Sequence, residues 1–138
     1  MKYYAVLDTN VLVSALLKMG SVPGQVAEEA LNGDIIPVLN DDILAEYEDV
    51  LRRPKFKFEK RAVRVFLDEL KRRAVFTDAG PIEDTIPDPK DIVFYAVLME
   101  KRKEEEAYLV TGNLKHFPIR TYIVTPREML DILQEAQE

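Results

Sequence analysis

The chain has 138 residues, 47% of them apolar and 32% charged, with a net charge of −6. That suffices for one domain with a real core and is too apolar for a disordered chain, and no apolar run nears the roughly 20 residues of a membrane span. There is no cysteine and one histidine, His116, so disulfides, zinc–thiolate sites, a thiol nucleophile and a three-histidine zinc site are excluded, and any chemistry must lean on carboxylates.

The opening residues, with Asp8 closing a short apolar run, lack the pattern of a signal peptide, and a reducing cytoplasm is the expected compartment. Strand-like runs are expected at 3–7, 35–39, 74–77, 107–110 and 122–124. Helix-like stretches are expected at 11–17, 22–31, 41–52, 59–73, 91–103 and 126–136. Such alternation with mostly buried strands predicts an α/β fold with a parallel sheet covered on both faces. Segment 78–89, with Pro81, Pro87 and Pro89, reads as a long connection and not as a linker, so residues 1–138 are expected to form one domain.

The charges are segregated. Segment 52–73 holds ten basic residues and three acids (Glu59, Asp68 and Glu69), a net of +7 that leaves −13 for the rest of the chain. The segment is either a solvated helix face or a basic wall for a phosphate backbone. The mixed run Lys101-Arg102-Lys103-Glu104-Glu105-Glu106 reads as an exposed helix end.

Open parallel sheets bind ligands at the carboxyl ends of their strands. Asp8-Thr9-Asn10 follows the first run, Thr111-Gly112-Asn113 the fourth, and Asp88-Pro89-Lys90-Asp91 precedes the long apolar helix. Carboxylates gathered there would repel one another unless a hard divalent cation, magnesium or manganese, joined them. Each acid also has a bland reading. Asp8 can cap the next helix, although Thr9 and Asn10 can do so instead. With Asp88 as N-cap and Pro89 first, Asp91 falls third, where an acid supports the cap; Thr125-Pro126-Arg127-Glu128 repeats the pattern and reads as a capping box. Glu46 and Glu48 flank the apolar arc of Ile43, Leu44, Tyr47, Val50 and Leu51 on opposite sides, so periodicity does not choose between them. His116 reads either as a ligand or base or as an ordinary loop residue. Tyr3, Tyr4 and Tyr95 suit the core better than base stacking, and Met99 and Met129 read as core filler.

Taken together, these segments resemble PIN-domain ribonucleases. Asp8-Thr9-Asn10-Val11-Leu12-Val13-Ser14-Ala15 is similar to the family's opening motif. The stretch from Ile43-Leu44-Ala45-Glu46 to Arg53-Pro54-Lys55-Phe56 is similar to its second, in the branch of toxin components of toxin–antitoxin systems. Asp88-Pro89-Lys90-Asp91 with Phe94, Tyr108-Leu109-Val110-Thr111-Gly112-Asn113 and Ile123-Val124-Thr125-Pro126-Arg127-Glu128 follow in the family's order. The resemblance implies a three-layer α/β/α domain with about five parallel strands. It implies a Mg2+- or Mn2+-dependent nuclease that hydrolyses single-stranded RNA to 5′-phosphate and 3′-hydroxyl ends. By position it makes Asp8, Glu46 and Asp91 the catalytic, metal-binding acids, with Thr111 orienting Asp8 and Asn10 at the site edge. It also implies RNA as substrate and an antitoxin as partner; the apolar helices 11–17 and 22–31 read either as a groove for a homodimer or an antitoxin or as core.

The chain departs from the family at Asn113, where many relatives carry an aspartate there or near His116; an amide supplies no charge for a second cation. Arg52, Arg53, Lys55 and Lys57, at the head of the basic run, are the candidate RNA contacts. Two rivals stand beside this reading. A phosphotransferase of the haloacid-dehalogenase type also uses an aspartate after its first strand, but needs a second acid where Asn10 stands. A catalytically weak PIN-like module that binds RNA or protein would account for Asn113.

Overall fold

The computed structural model describes residues 3–137. Its elements run β1 (Tyr3–Leu7), α1 (Thr9–Leu17), α2 (Val22–Asn32), β2 (Ile35–Leu39), α3 (Asp41–Leu51), α4 (Lys60–Arg73), β3 (Val75–Phe76), α5 (Pro89–Lys101), β4 (Ala107–Val110), β5 (Ile123–Val124) and α6 (Pro126–Gln137). Single 3-10 turns at Pro54–Phe56 and Leu114–His116 lie between them. All strand pairs are parallel, in the order β3-β2-β1-β4-β5. This is the three-layer α/β/α architecture expected. With strand order β3-β2-β1-β4-β5, the rule of right-handed crossovers puts the helices between β1 and β3 on one face and α5, which returns across the sheet, on the other. There α5 packs along β4, β1 and β2, while α2 sits between α1, α4 and α6.

The strands are near-continuous apolar runs because both faces are covered. Ala5, Val6, Leu7, Ile35, Val38, Leu39, Leu109 and Val110 are fully buried. Three expected strands match residue for residue. The outer two are shorter than expected, at two residues each, since an edge strand has one neighbour to pair with. Helices α1 and α5 begin two residues earlier than expected, because Asp8 and Asp88 are extended N-cap residues and the helix starts just after them.

Two sequence readings need correction. Thr9 and Asn10 do not cap α1; they are its first helical residues. The 101–106 run is not uniformly exposed: Lys101 is 6% exposed with its ammonium 4.5 Å from the Tyr4 ring centre. Arg102 lies on the Tyr122 ring at 3.9 Å and donates to the Ala107 carbonyl at 2.6 Å. Long cationic side chains bury their stems and keep the charged head on an aromatic face, so a charge run need not be a solvated face.

The chain reverses its direction of travel across the sheet between β1 and β4. That switch point is where an open α/β sheet leaves a crevice. Leu7 pairs with Val110 and Val110 with Val124, so Asp8 and Thr111 emerge side by side at the carboxyl edge.

Candidate active site

An open cleft of about 330 Å³ lies over this edge, lined by Asp8, Glu46, Asp88, Asp91, Asn113 and His116 among others. Asp8 stands at the N-cap of α1, but its side chain makes no capping hydrogen bond. Its Oδ2 instead accepts from the Thr111 hydroxyl at 2.8 Å and from Asn10 Nδ2 at 3.2 Å. Both donors are themselves held. Thr111 Oγ1 accepts from the Asn113 amide at 3.0 Å, and Asn10 Oδ1 accepts from the Gly112 amide at 3.2 Å. The β4 loop therefore locks the Asp8 carboxylate through two side chains.

Glu46 reaches the cleft from α3. The hydroxyl of buried Tyr47 donates to the Leu7 carbonyl at 2.5 Å, pinning α3 to the end of β1. With Tyr47 turned inward, the preceding Glu46 faces the cleft and accepts from Thr9 Oγ1 at 2.9 Å. Glu48 falls on the outer side with Asp49, beside a shallow depression at the end of α3. Asp41 and Asp42 are exposed in the first turn of α3.

Asp91 is third in α5, after Asp88 and Pro89. Asp88 caps the helix by accepting from the Lys90 amide at 3.0 Å. Asp91 does not join that cap. Its Oδ2 is sealed from solvent with no hydrogen-bond donor. His116 Nδ1 lies 3.2 Å from that oxygen, near enough for an ion pair when the imidazole is protonated. The sequence alone leaves His116 open between a ligand or base and an ordinary loop residue. Its contact with Asp91 joins the first turn of α5 to the Leu114–His116 turn, and no local pattern encodes it.

Burial raises the Asp8 carboxyl above its usual range and Glu46 adds to this, while the Thr111 hydrogen bond, the nearby Thr9 backbone amide and His116 oppose it. Burial likewise raises Asp91, with repulsion from Asp8 next, and the nearby imidazole opposes. Two buried carboxylates that repel each other form a site in which a cation is favourable. Among the described residues, however, no three His, Asp or Glu side chains come close enough to hold a metal ion among themselves. Asp8 and Asp91, both buried and both lining the cleft, are the residues that could hold such an ion, since magnesium is commonly bound through one or two carboxylates.

The basic run divides. None of the charged residues of α4 lines the cleft. Arg52 and Arg53 lie beside Glu48 and Asp49, with Arg53 paired to Asp49 at 3.0 Å. Arg72 and Arg73 both engage Glu69. Lys55 and Lys57 are exposed on either side of Phe56, which does line the cleft.

A doubly wound α/β/α domain with locked acids at its switch point is the class that fold and site define. The chain belongs to the PIN domain family, whose model matches residues 4–115. PIN domains are in general nucleases, they bind nucleic acid, and they typically use divalent metal ions. No curated protein and no solved structure gives a match.

Proposed function

We propose that the protein is a Mg2+- or Mn2+-dependent endoribonuclease acting on single-stranded RNA, and that it is the toxin of a toxin–antitoxin pair. The observation that carries the nuclease reading is the pair of buried carboxylates, Asp8 and Asp91, in the switch-point cleft of a PIN domain. The toxin reading rests on the likeness of the second and last motifs to that branch. In this account residues 1–138 act as one domain in the cytoplasm, with RNA as substrate, an antitoxin as protein partner and a homodimer as the candidate assembly.

Asp8 and Asp91 would hold the ion, and Glu46 would either join them or act as base. A divalent ion there supplies a Lewis acid that neutralises charge on the scissile phosphate and makes water a better nucleophile. The chain's own contribution is positioning. Thr111 and Asn10 fix Asp8, so the carboxylate need not reorganise during the reaction. Thr9 holds one oxygen of Glu46 and leaves the other to orient or accept a proton from the attacking water. Asn113 adds an amide and no charge, which favours one ion over two. Asp8→Asn should abolish metal-dependent RNA cleavage and leave the circular dichroism spectrum native; full activity in a folded Asp8→Asn protein would overturn the assignment.

A second reading, a PIN-like module that binds RNA or protein with little catalysis, is favoured by the neutral Asn113 and by the lack of a three-residue metal cluster among the described residues. A manganese titration of wild type against Asn113→Asp separates the two. Activity gained only in the variant favours the binding module.

A further inference from the structure

The cleft has an apolar side as well as an acidic one. Val13, Val50, Phe56 and Phe94 line it beside the carboxylates. Phe94 is core, 2% exposed. Phe56 differs. It is half-buried and belongs to the Pro54–Phe56 turn, outside the hydrophobic core that its neighbour Phe58 packs against. Phe58 backs the Phe56 ring, with centres 5.6 Å apart and planes 14° from parallel. Pro54 opens the turn and Lys57, at φ 56°, closes it in the left-handed region. The ring is thus held in place without serving the core.

Its neighbours along the chain are cationic. Arg52, Arg53, Lys55 and Lys57 are all exposed, and the Lys55 ammonium lies 5.0 Å from the Phe56 ring centre. An aromatic face among cations, beside the acids of a nuclease family, is the composition with which proteins hold single strands: bases stack on the ring and phosphates meet the charges.

We propose that Phe56 is a base-stacking platform, on which the nucleobase next to the scissile phosphate lies while Lys55 and Lys57 contact the flanking phosphates. The proposal rests on the nuclease reading and adds what selects its substrate. A paired base has both faces covered by its stack and cannot reach the ring, so the site takes unpaired nucleotides. Stacking tolerates any base, so little base preference is expected from Phe56 itself. Lys55, long and exposed, gives way to the base and keeps its charge for the phosphate.

The test uses phosphorothioate-linked oligonucleotides that resist hydrolysis, followed by fluorescence anisotropy with manganese present. The probes are a short single-stranded oligouridine and an abasic oligomer of equal length and charge. The wild type should bind the oligouridine roughly tenfold more tightly than the abasic oligomer, the scale of one base–aromatic stack. Phe56→Tyr should keep that preference. Phe56→Ala should lose it, and so should Phe56→Leu, which retains apolar bulk and protects the fold, with abasic binding unchanged in each. Retention of the preference in both, or equal loss for both probes, overturns the platform. Cleavage of ordinary RNA by the same wild-type preparation separates the two claims. Cleavage without any base-dependent preference sinks the platform alone, whereas neither binding nor metal-dependent cleavage sinks the nuclease reading with it.

Discussion

Asp91 and Glu128 occupy the same place in similarly patterned segments, the third helical residue of Asp88-Pro89-Lys90-Asp91 and of Thr125-Pro126-Arg127-Glu128. Glu128 makes the reciprocal cap: its carboxylate accepts from the Thr125 amide at 2.9 Å, and Thr125 Oγ1 accepts from the Glu128 amide at 3.1 Å. Asp91 makes no such bond and meets His116 instead. The bland reading of an acid at this position is therefore right for one and wrong for the other. Glu128→Ala should cost about 0.5–1 kcal/mol in urea unfolding, a cap's usual worth, and leave cleavage intact. Asp91→Asn should do the reverse, abolishing cleavage without loss of stability. Asp8 carries a further consequence. Because its carboxyl is raised in the folded state, the folded protein holds that proton more tightly than the unfolded chain. The associated stability is full below the unfolded value and is lost as pH rises through the folded one; Asp91, also raised, acts in the same sense. Without metal, Asp8→Asn should thus melt above the wild type at neutral pH, and the gap should close as pH falls through the carboxylate range. Thermal melts in chelator across that range check the sign.

At the scale of elements, α3 shows how a core contact sets a polar one. Glu46 and Glu48 are equivalent by periodicity, and the choice falls to Glu46 because Tyr47 between them is tied to the Leu7 carbonyl. Tyr47→Phe should cost about 1 kcal/mol, the net worth of one hydrogen bond, and should also lower kcat, although Tyr47 does not line the cleft. Unchanged turnover alongside the stability loss would show that this anchor does not position Glu46. The strands and helices were legible because five-residue apolar runs and helical arcs are local patterns. The site was legible in part. Asp8 and Thr111 follow from strand ends and register, whereas the Asp91–His116 contact joins a helix start to a distant turn and has no local signature. The platform at Phe56 was hidden because an aromatic in a basic run looks like any apolar residue until the turn places it at the cleft.

For the whole molecule, the net charge of −6 describes no part of its surface. Acids collect at the carboxyl edge of the sheet; Lys90 and His116 line the cleft with them, and Lys55 and Lys57 flank Phe56. Much of the +7 in segment 52–73 lies on α4 away from the cleft, and Arg53, Arg72 and Arg73 are already paired with acids. Few phosphate contacts are therefore available. The affinity for single-stranded RNA should fall with salt at a shallow logarithmic slope, near −0.7 per phosphate engaged, and a slope of only about −2 is expected for Lys55, Lys57 and one further cation in exchange with solvent. A steep slope would mean that α4 also binds the strand.

The proposed chemistry requires Asp8 and Asp91 to bind the ion that cleavage needs. The most direct measurement is a manganese titration of wild type and Asp8→Asn, read in parallel by thermal melting and by cleavage of end-labelled single-stranded RNA. Wild-type stability should rise by mass action, by about 2.7 kcal/mol at 100 times the dissociation constant, with cleavage saturating over the same concentrations, while Asp8→Asn shows neither response. Wild-type cleavage that persists in chelator, or a folded Asp8→Asn protein that binds manganese and cleaves as the wild type does, would contradict the account.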